Sequence, residues 1–150
     1  MDILTTWQRF QPLPGGRWLF SRALGIVVPY AGTIRPQVQS IQPGKVRVSI
    51  SDRWSVRNHL KSIHALALVT LGELAVNLAL MTVMPKNGRF IVTGLEAEYL
   101  KKARGNISVE AELDSPDWTV DGPFQAECLL RDQSQDPVAR VLVRWKVGPR

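Results

Sequence analysis

The chain is poor in the residues that build covalently stapled or metal-held folds: one cysteine, Cys128, and two histidines in 150 residues. A lone cysteine cannot form an internal disulfide, which excludes a disulfide-stapled scaffold and favours a reducing compartment. His59 and His64 are five positions apart, not the four that would align two ligands on one helical face, so no metal site is assigned. The sequence has no internal repeat and no low-complexity tract. Its first residues, MDILTTWQRFQPLPGG, lack a basic stretch followed by an apolar one, so no signal peptide is expected and the expected location is the cytoplasm. The aromatic residues are not interleaved with basic ones as a base-stacking platform requires, which argues against a nucleic-acid partner.

What is present is an ordinary globular composition, 45% hydrophobic and 21% charged, far from the polar, charge-rich make-up of a disordered chain. The length suits one domain spanning residues 1–150 with a core of its own. A net charge of +6 and a pI near 10.0 suggest an anionic partner. The one dense basic knot is KKAR, from Lys101 to Arg104.

Periodicity predicts mostly strands. Val46, Val48 and Ile50 alternate in KVRVSIS, and the preceding QPGK reads as a turn from a strand over 34–41. Ile91, Thr93, Leu95, Ala97 and Tyr99 alternate with Glu96 and Glu98, and Ile107, Val109, Ala111 and Leu113 with Ser108, Glu110 and Glu112. FQAECLL and VARVLVRWKV continue the pattern, placing Cys128 in a core strand, with turns at KARGN, SPDWTVDG and DQSQDP. The second half therefore reads as an antiparallel meander. GGRWLFSRALGIVVPYAG predicts a short N-terminal helix stopped by Pro29, within an extension over residues 1–30. The remaining 31–150 would hold the sheet and a long apolar helix at about 63–84, with Ser62 as a candidate N-cap.

A helix apolar on nearly every side must be surrounded by lipid or by protein. Glu73 near its centre would cost about 2.5 kcal/mol or more in a bilayer, so no membrane span is expected. An α+β fold is, with a curved antiparallel sheet wrapped around the helix and one stripe left for a ligand or a partner subunit. A carboxylate in such a helix needs a partner, either an Arg of the sheet or Asn77 one turn on, or a chemical task.

Asn58 precedes His64 by six positions, and Glu73 follows His64 by nine. In these spacings, and in EYLKKARG, the chain resembles the hotdog-fold acyl-CoA thioesterases, in particular the branch of the phenylacetate-pathway thioesterase. SRALGIVVPYAG and RNHLKSIHALAL resemble a sub-branch known only as a domain of unknown function. The resemblance implies a site shared across a homodimer, with a dimer of dimers as the next level. Asn58, His64 and the Ala65 amide at the helix N-terminus would come from one subunit and Glu73, as base or nucleophile, from the other. It also implies that Lys101, Lys102 and Arg104 meet the phosphates of coenzyme A, which enters as part of the substrate rather than as a cofactor. Asn77 is assigned to the substrate-binding set.

Two alternatives stay open. Hotdog dehydratases pair a histidine with a carboxylate 14 positions later, the separation of His59 and Glu73. A non-catalytic acyl-CoA or lipid-binding hotdog protein would explain why Ala65 and Leu66 stand where the family carries a Gly pair.

Overall fold

The computed structural model describes residues 2–150. Three helices come first, α1 (Ile3–Phe10), α2 (Gly16–Val27) and α3 (Pro29–Gly32). Strands β1 (Gln37–Gln42) and β2 (Lys45–Ile50) follow, then the long helix α4 (Ala65–Val83). Strands β3 (Gly88–Tyr99), β4 (Ile107–Glu112), β5 (Gly122–Arg131) and β6 (Pro137–Pro149) complete the chain. The six strands form one sheet in the order β1-β2-β4-β5-β6-β3, antiparallel throughout. The sheet curves around α4 in the hotdog fold.

The period-2 residues explain the sheet's inner face. β2 and β4 meet in the register Val46↔Ala111, Val48↔Val109 and Ile50↔Ile107, and all six side chains are buried. From β6, Val141, Val143, Trp145 and Val147 close the same face. The β1–β2 hairpin turns at Gly44, whose φ of 70° is a conformation that a side chain would strain.

Between them the sheet and the N-terminal helices bury 11 of the 19 residues of α4. The apolar length that a bilayer would demand is thus satisfied by protein, each fully buried leucine contributing roughly 1.5–3 kcal/mol. Before its last two residues, Thr82 and Val83, the half-exposed residues of α4 fall on one line: Ala65, Val69, Glu73, Asn77 and Met81, each four positions from the last. Side chains four apart stack on one face of a helix, so the expected stripe is present and carries Glu73.

Four local expectations are corrected. The N-terminal segment holds an additional helix, α1, started where Asp2 Oδ1 accepts from the Leu4 and Thr5 amides, both at 3.1 Å. Its Ile3 and Trp7 are buried, Trp7 lying edge-on to Phe20 at 5.1 Å. Pro29 does not simply stop a helix; it occupies the first turn of α3, where its missing N–H costs nothing. The N-cap of α4 is His64 rather than Ser62: the Leu66 N–H donates to His64 Nδ1 at 3.1 Å. In β3 a bulge between Val92 and Gly94 shifts the register. Phe90, Val92 and Ala97 pack on the core while Ile91 and Thr93 face outward; beyond the bulge Leu95 shares the face of its partner Val143. Strand alternation alone could not reveal this, because one inserted residue reverses which face is buried.

Candidate functional site

The segment entering α4 is held by a small polar knot. Asn58 Oδ1 accepts from the Leu60 N–H at 2.9 Å and the Ser62 N–H at 3.2 Å, and the Asn58 N–H donates to the Ser62 carbonyl at 2.8 Å. Lys61 takes φ 56° to close this loop. The acceptor end of Asn58 is therefore committed to backbone, and its amide nitrogen makes no hydrogen bond among the described residues. Asn58 and His59 line a groove with Trp54, Ser55, Arg57 and Lys61, and His59 is exposed in the loop rather than carried on α4.

At the start of α4 the backbone donors can be accounted for one by one. The His64 N–H reaches the Val56 carbonyl, Leu66 N–H the His64 ring, and Ala67 and Leu68 N–H the His64 carbonyl. Among the described residues, the Ala65 N–H has no acceptor. A helix N-terminus holds partial positive charge, and an unsatisfied amide there is ready for an anionic oxygen. The Ala65 carbonyl in turn accepts from Tyr99 Oη at 3.3 Å, fastening the end of β3 to the head of the helix. Burial raises the pKa of Tyr99, so the phenol stays protonated as donor.

Glu73 lies eight residues beyond Ala65, about 12 Å along the helix. Its partner is Asn77, whose Nδ2 reaches Glu73 Oε1 at 3.4 Å while Asn77 Oδ1 accepts from the buried Trp145 Nε1 at 2.7 Å. Trp145 is stacked on Phe124 at 5.8 Å. Of the two partners foreseen for Glu73, Asn77 is the one present; no arginine of the sheet pairs with it among the described residues. Sequence reasoning placed Tyr99, within EYLKKARG, and Trp145 only in alternating strands; their contacts with Ala65 and Asn77 come from strands remote in the chain.

The basic loop divides. Lys101 Nζ is bound by Asp132 at 2.7 Å and Asp136 at 2.8 Å, and these carboxylates raise its pKa, Asp132 first. Lys101 thus secures the β5–β6 turn. Lys102 and Arg104 are exposed and make no ion pair among the described residues. Ala103 between them is buried, and its carbonyl accepts from the Ile63 N–H at 2.8 Å, so both cations flank the entrance to α4. A second tie comes from Asp52, which binds Arg57 Nε at 2.6 Å and the Gly105 N–H at 2.9 Å. The Arg57 guanidinium, helped by that amide against the opposing effect of burial, holds the Asp52 carboxyl below its ordinary pKa.

Asn58, His64 and Ala65 thus converge at the helix mouth, with Lys102 and Arg104 beside them, and Glu73 and Asn77 stand further along the same open stripe. Over residues 16–147 the chain matches the model of DUF4442, a domain of unknown function. The chain belongs to the DUF4442 family. Three solved structures share the fold of this DUF4442 protein. A structural-genomics crystal structure is 28% identical over all of both chains, with a TM-score of 0.87. A Pseudomonas aeruginosa protein of unknown function, described as a probable thioesterase, is 24% identical with a TM-score of 0.75, over 92% of this chain and 97% of that one. A thioesterase family protein of Silicibacter pomeroyi is 15% identical with a TM-score of 0.73, over 87% of this chain and 96% of that one. No curated protein matches the sequence.

Proposed function

We propose that this DUF4442 protein hydrolyses acyl-CoA thioesters at a site shared by two subunits of a homodimer. The observation that carries the reading is the placement of an acceptor-free amide, that of Ala65, and a carboxylate, that of Glu73, on one open stripe of an otherwise buried helix. At about 12 Å apart the two cannot serve one carbonyl within a subunit. Two stripes facing each other in antiparallel fashion would bring the Ala65 amide of one subunit opposite Glu73 of the other. Thioesterase descriptions among the fold neighbours support the same class of chemistry.

The edge strand β3 supports the pairing. It is 12 residues long and exposes Ile91, Leu95 and Tyr99, the last of which reaches the head of α4. A long, apolar, unpaired edge is a template for a second strand, and joining two such edges would juxtapose the helices behind them.

In this site the thioester carbonyl oxygen accepts from the Ala65 N–H and from the amide nitrogen of Asn58. His64 holds the first turn in place through its cap. Glu73 takes a proton from water as the water oxygen attacks the carbonyl carbon, the tetrahedral oxyanion being stabilised at the helix N-terminus. Collapse breaks the carbon–sulfur bond, and the proton passes to the leaving thiolate, giving a carboxylic acid and coenzyme A. Lys102 and Arg104 flank the mouth where the nucleotide phosphates would lie.

The test is subunit complementation. Glu73→Gln and Asn58→Ala proteins should each lose about 10² or more in kcat while remaining folded dimers. Mixed after mild dissociation, they should recover a fraction of wild-type activity, because one of the two sites in each heterodimer is then intact. Full thioesterase activity in Glu73→Gln removes the mechanism, and failure of the mixture to recover removes the shared site. Hydration of a crotonyl thioester that depends on His59 would favour a dehydratase instead, and thioester binding without turnover an acyl-CoA carrier.

A further inference from the structure

The protein's net charge is unevenly placed. Between Ile3 and Ser51 there are six basic residues and no acidic one, so this third of the chain carries the whole net charge of +6. The rest holds 13 basic and 13 acidic residues. On the outer sheet the cations are answered: Arg89 and Lys146 by Asp121, Arg140 by Glu98, Arg144 by Glu96. Around α2 they are not. Among the described residues Arg17, Arg22, Arg35 and Arg53 make no ion pair.

The same region has an unusual outer surface. Helix α2 docks through Phe20, Ser21 and Leu24, with Ser21 Oγ accepting from the Val38 N–H of β1 at 2.9 Å. Its opposite, solvent-facing side repeats at helical spacing as Trp18, Leu19, Arg22 and Ile26. Trp18 is 65% exposed and Ile26 78%, and at the α2–α3 junction Val27 and Tyr30 are 61% and 68% exposed. Arg22 lies over the Trp18 ring at 5.9 Å. The patch continues past α3, where Arg53 Nη2 donates to the Thr33 carbonyl at 3.1 Å and places Trp54, 88% exposed, at its rim. Burial, followed by repulsion from Arg35 and Arg22, lowers the pKa of Arg53, which marks the three guanidiniums as neighbours.

We infer that the outer face of α2 and α3 is a docking surface for an anionic lipid bilayer, with Trp18, Ile26, Val27 and Tyr30 entering the interface and Arg17, Arg22, Arg35 and Arg53 meeting the headgroups. Charge complementarity selects this occupant. A neutral apolar partner would give the unanswered arginines no counter-charge, whereas an anionic bilayer offers negative charge at its surface and apolar chains just beneath. Tryptophan and tyrosine suit that boundary because one side of each ring is apolar and the other polar. The surface is not the one used for the proposed dimer: α2 packs on β1, and β1 and β3 are opposite edges of the sheet.

The experiment is co-sedimentation of the full chain with vesicles of phosphatidylcholine alone or mixed in equal parts with phosphatidylglycerol. Binding to the mixed vesicles should exceed binding to phosphatidylcholine by at least about tenfold and weaken as salt is raised. Trp18→Glu with Ile26→Glu should reduce it by about tenfold or more, with unchanged circular dichroism and unchanged turnover of water-soluble thioesters. Arg22→Glu with Arg35→Glu should abolish the preference for phosphatidylglycerol. Equal binding to both vesicles, or no loss in either variant, would overturn the inference. So would a drop in oligomeric mass in the Trp18/Ile26 variant, which would assign the face to a second copy of the chain.

Discussion

Asn77 stands between Trp145 and Glu73, taking the indole N–H at 2.7 Å on its carbonyl and extending its amide to the carboxylate at 3.4 Å. One short side chain thus joins a buried tryptophan of β6 to the single acid of the open stripe. Asn77→Ala leaves the indole donor buried without an acceptor, a cost of about 1–3 kcal/mol, and frees Glu73 to rotate. Thermal unfolding should register the first effect, and a fall in kcat of about tenfold the second. Adding Trp145→Phe removes the stranded donor, so stability should partly return while kcat stays low. Recovery of both would mean that Asn77 serves only the fold.

Gly72, next to Glu73, packs against Val141 of β6. A Cβ there would lie 2.8 Å from Cβ of the buried Val141. Gly72→Ala would gain about 1 kcal/mol in helix propensity, but overpacking against a β-branched strand residue costs about 1–3 kcal/mol, so the net change should be destabilising. In a Val141→Gly background, which removes that Cβ, the clash is gone and the same substitution should become neutral or stabilising. Denaturant midpoints of the four proteins decide it.

The basic loop should separate by kinetics. Lys102→Ala and Arg104→Ala should raise KM for coenzyme A esters several-fold with little change in kcat, since distant phosphates are bound equally in ground and transition states. Esters of pantetheine, which lack the nucleotide, should be unaffected. Lys101→Ala should leave KM near wild type, because that ammonium is already bound by Asp132 and Asp136. A KM effect equal to that of Lys102 would show that the lysine exchanges carboxylates for phosphate on binding.

Burial pushes the Cys128 thiol from an ordinary 9.0 to about 12. The native thiol should therefore resist thiol reagents at neutral pH and react only as fast as the protein opens. Because the folded value is the higher one, the neutral thiol's contribution to stability is complete below about pH 9 and is lost as pH rises toward about 12. Cys128→Ala should flatten that alkaline decline. Chemical denaturation across this range is the measurement.

The sequence by itself determined what local periodicity and local composition can determine. The alternation of Val46, Val48 and Ile50, and of Val141, Val143 and Trp145, required strands with one buried face. The apolar run around Glu73 required a surrounded helix, and its spacing to Asn58 and His64 carried the resemblance on which the proposed site rests. Tertiary structure alone decided the rest. The bulge at Val92–Gly94 put Ile91 and Leu95 on opposite faces, which follows from pairing with β6 and not from the strand's own pattern. Lys101 was taken out of the basic knot by carboxylates about 30 residues further on. Glu73 found its support through Asn77 in Trp145, 72 residues away. Such contacts are chosen by which surfaces the folded sheet brings together, and a one-dimensional pattern carries no record of that proximity.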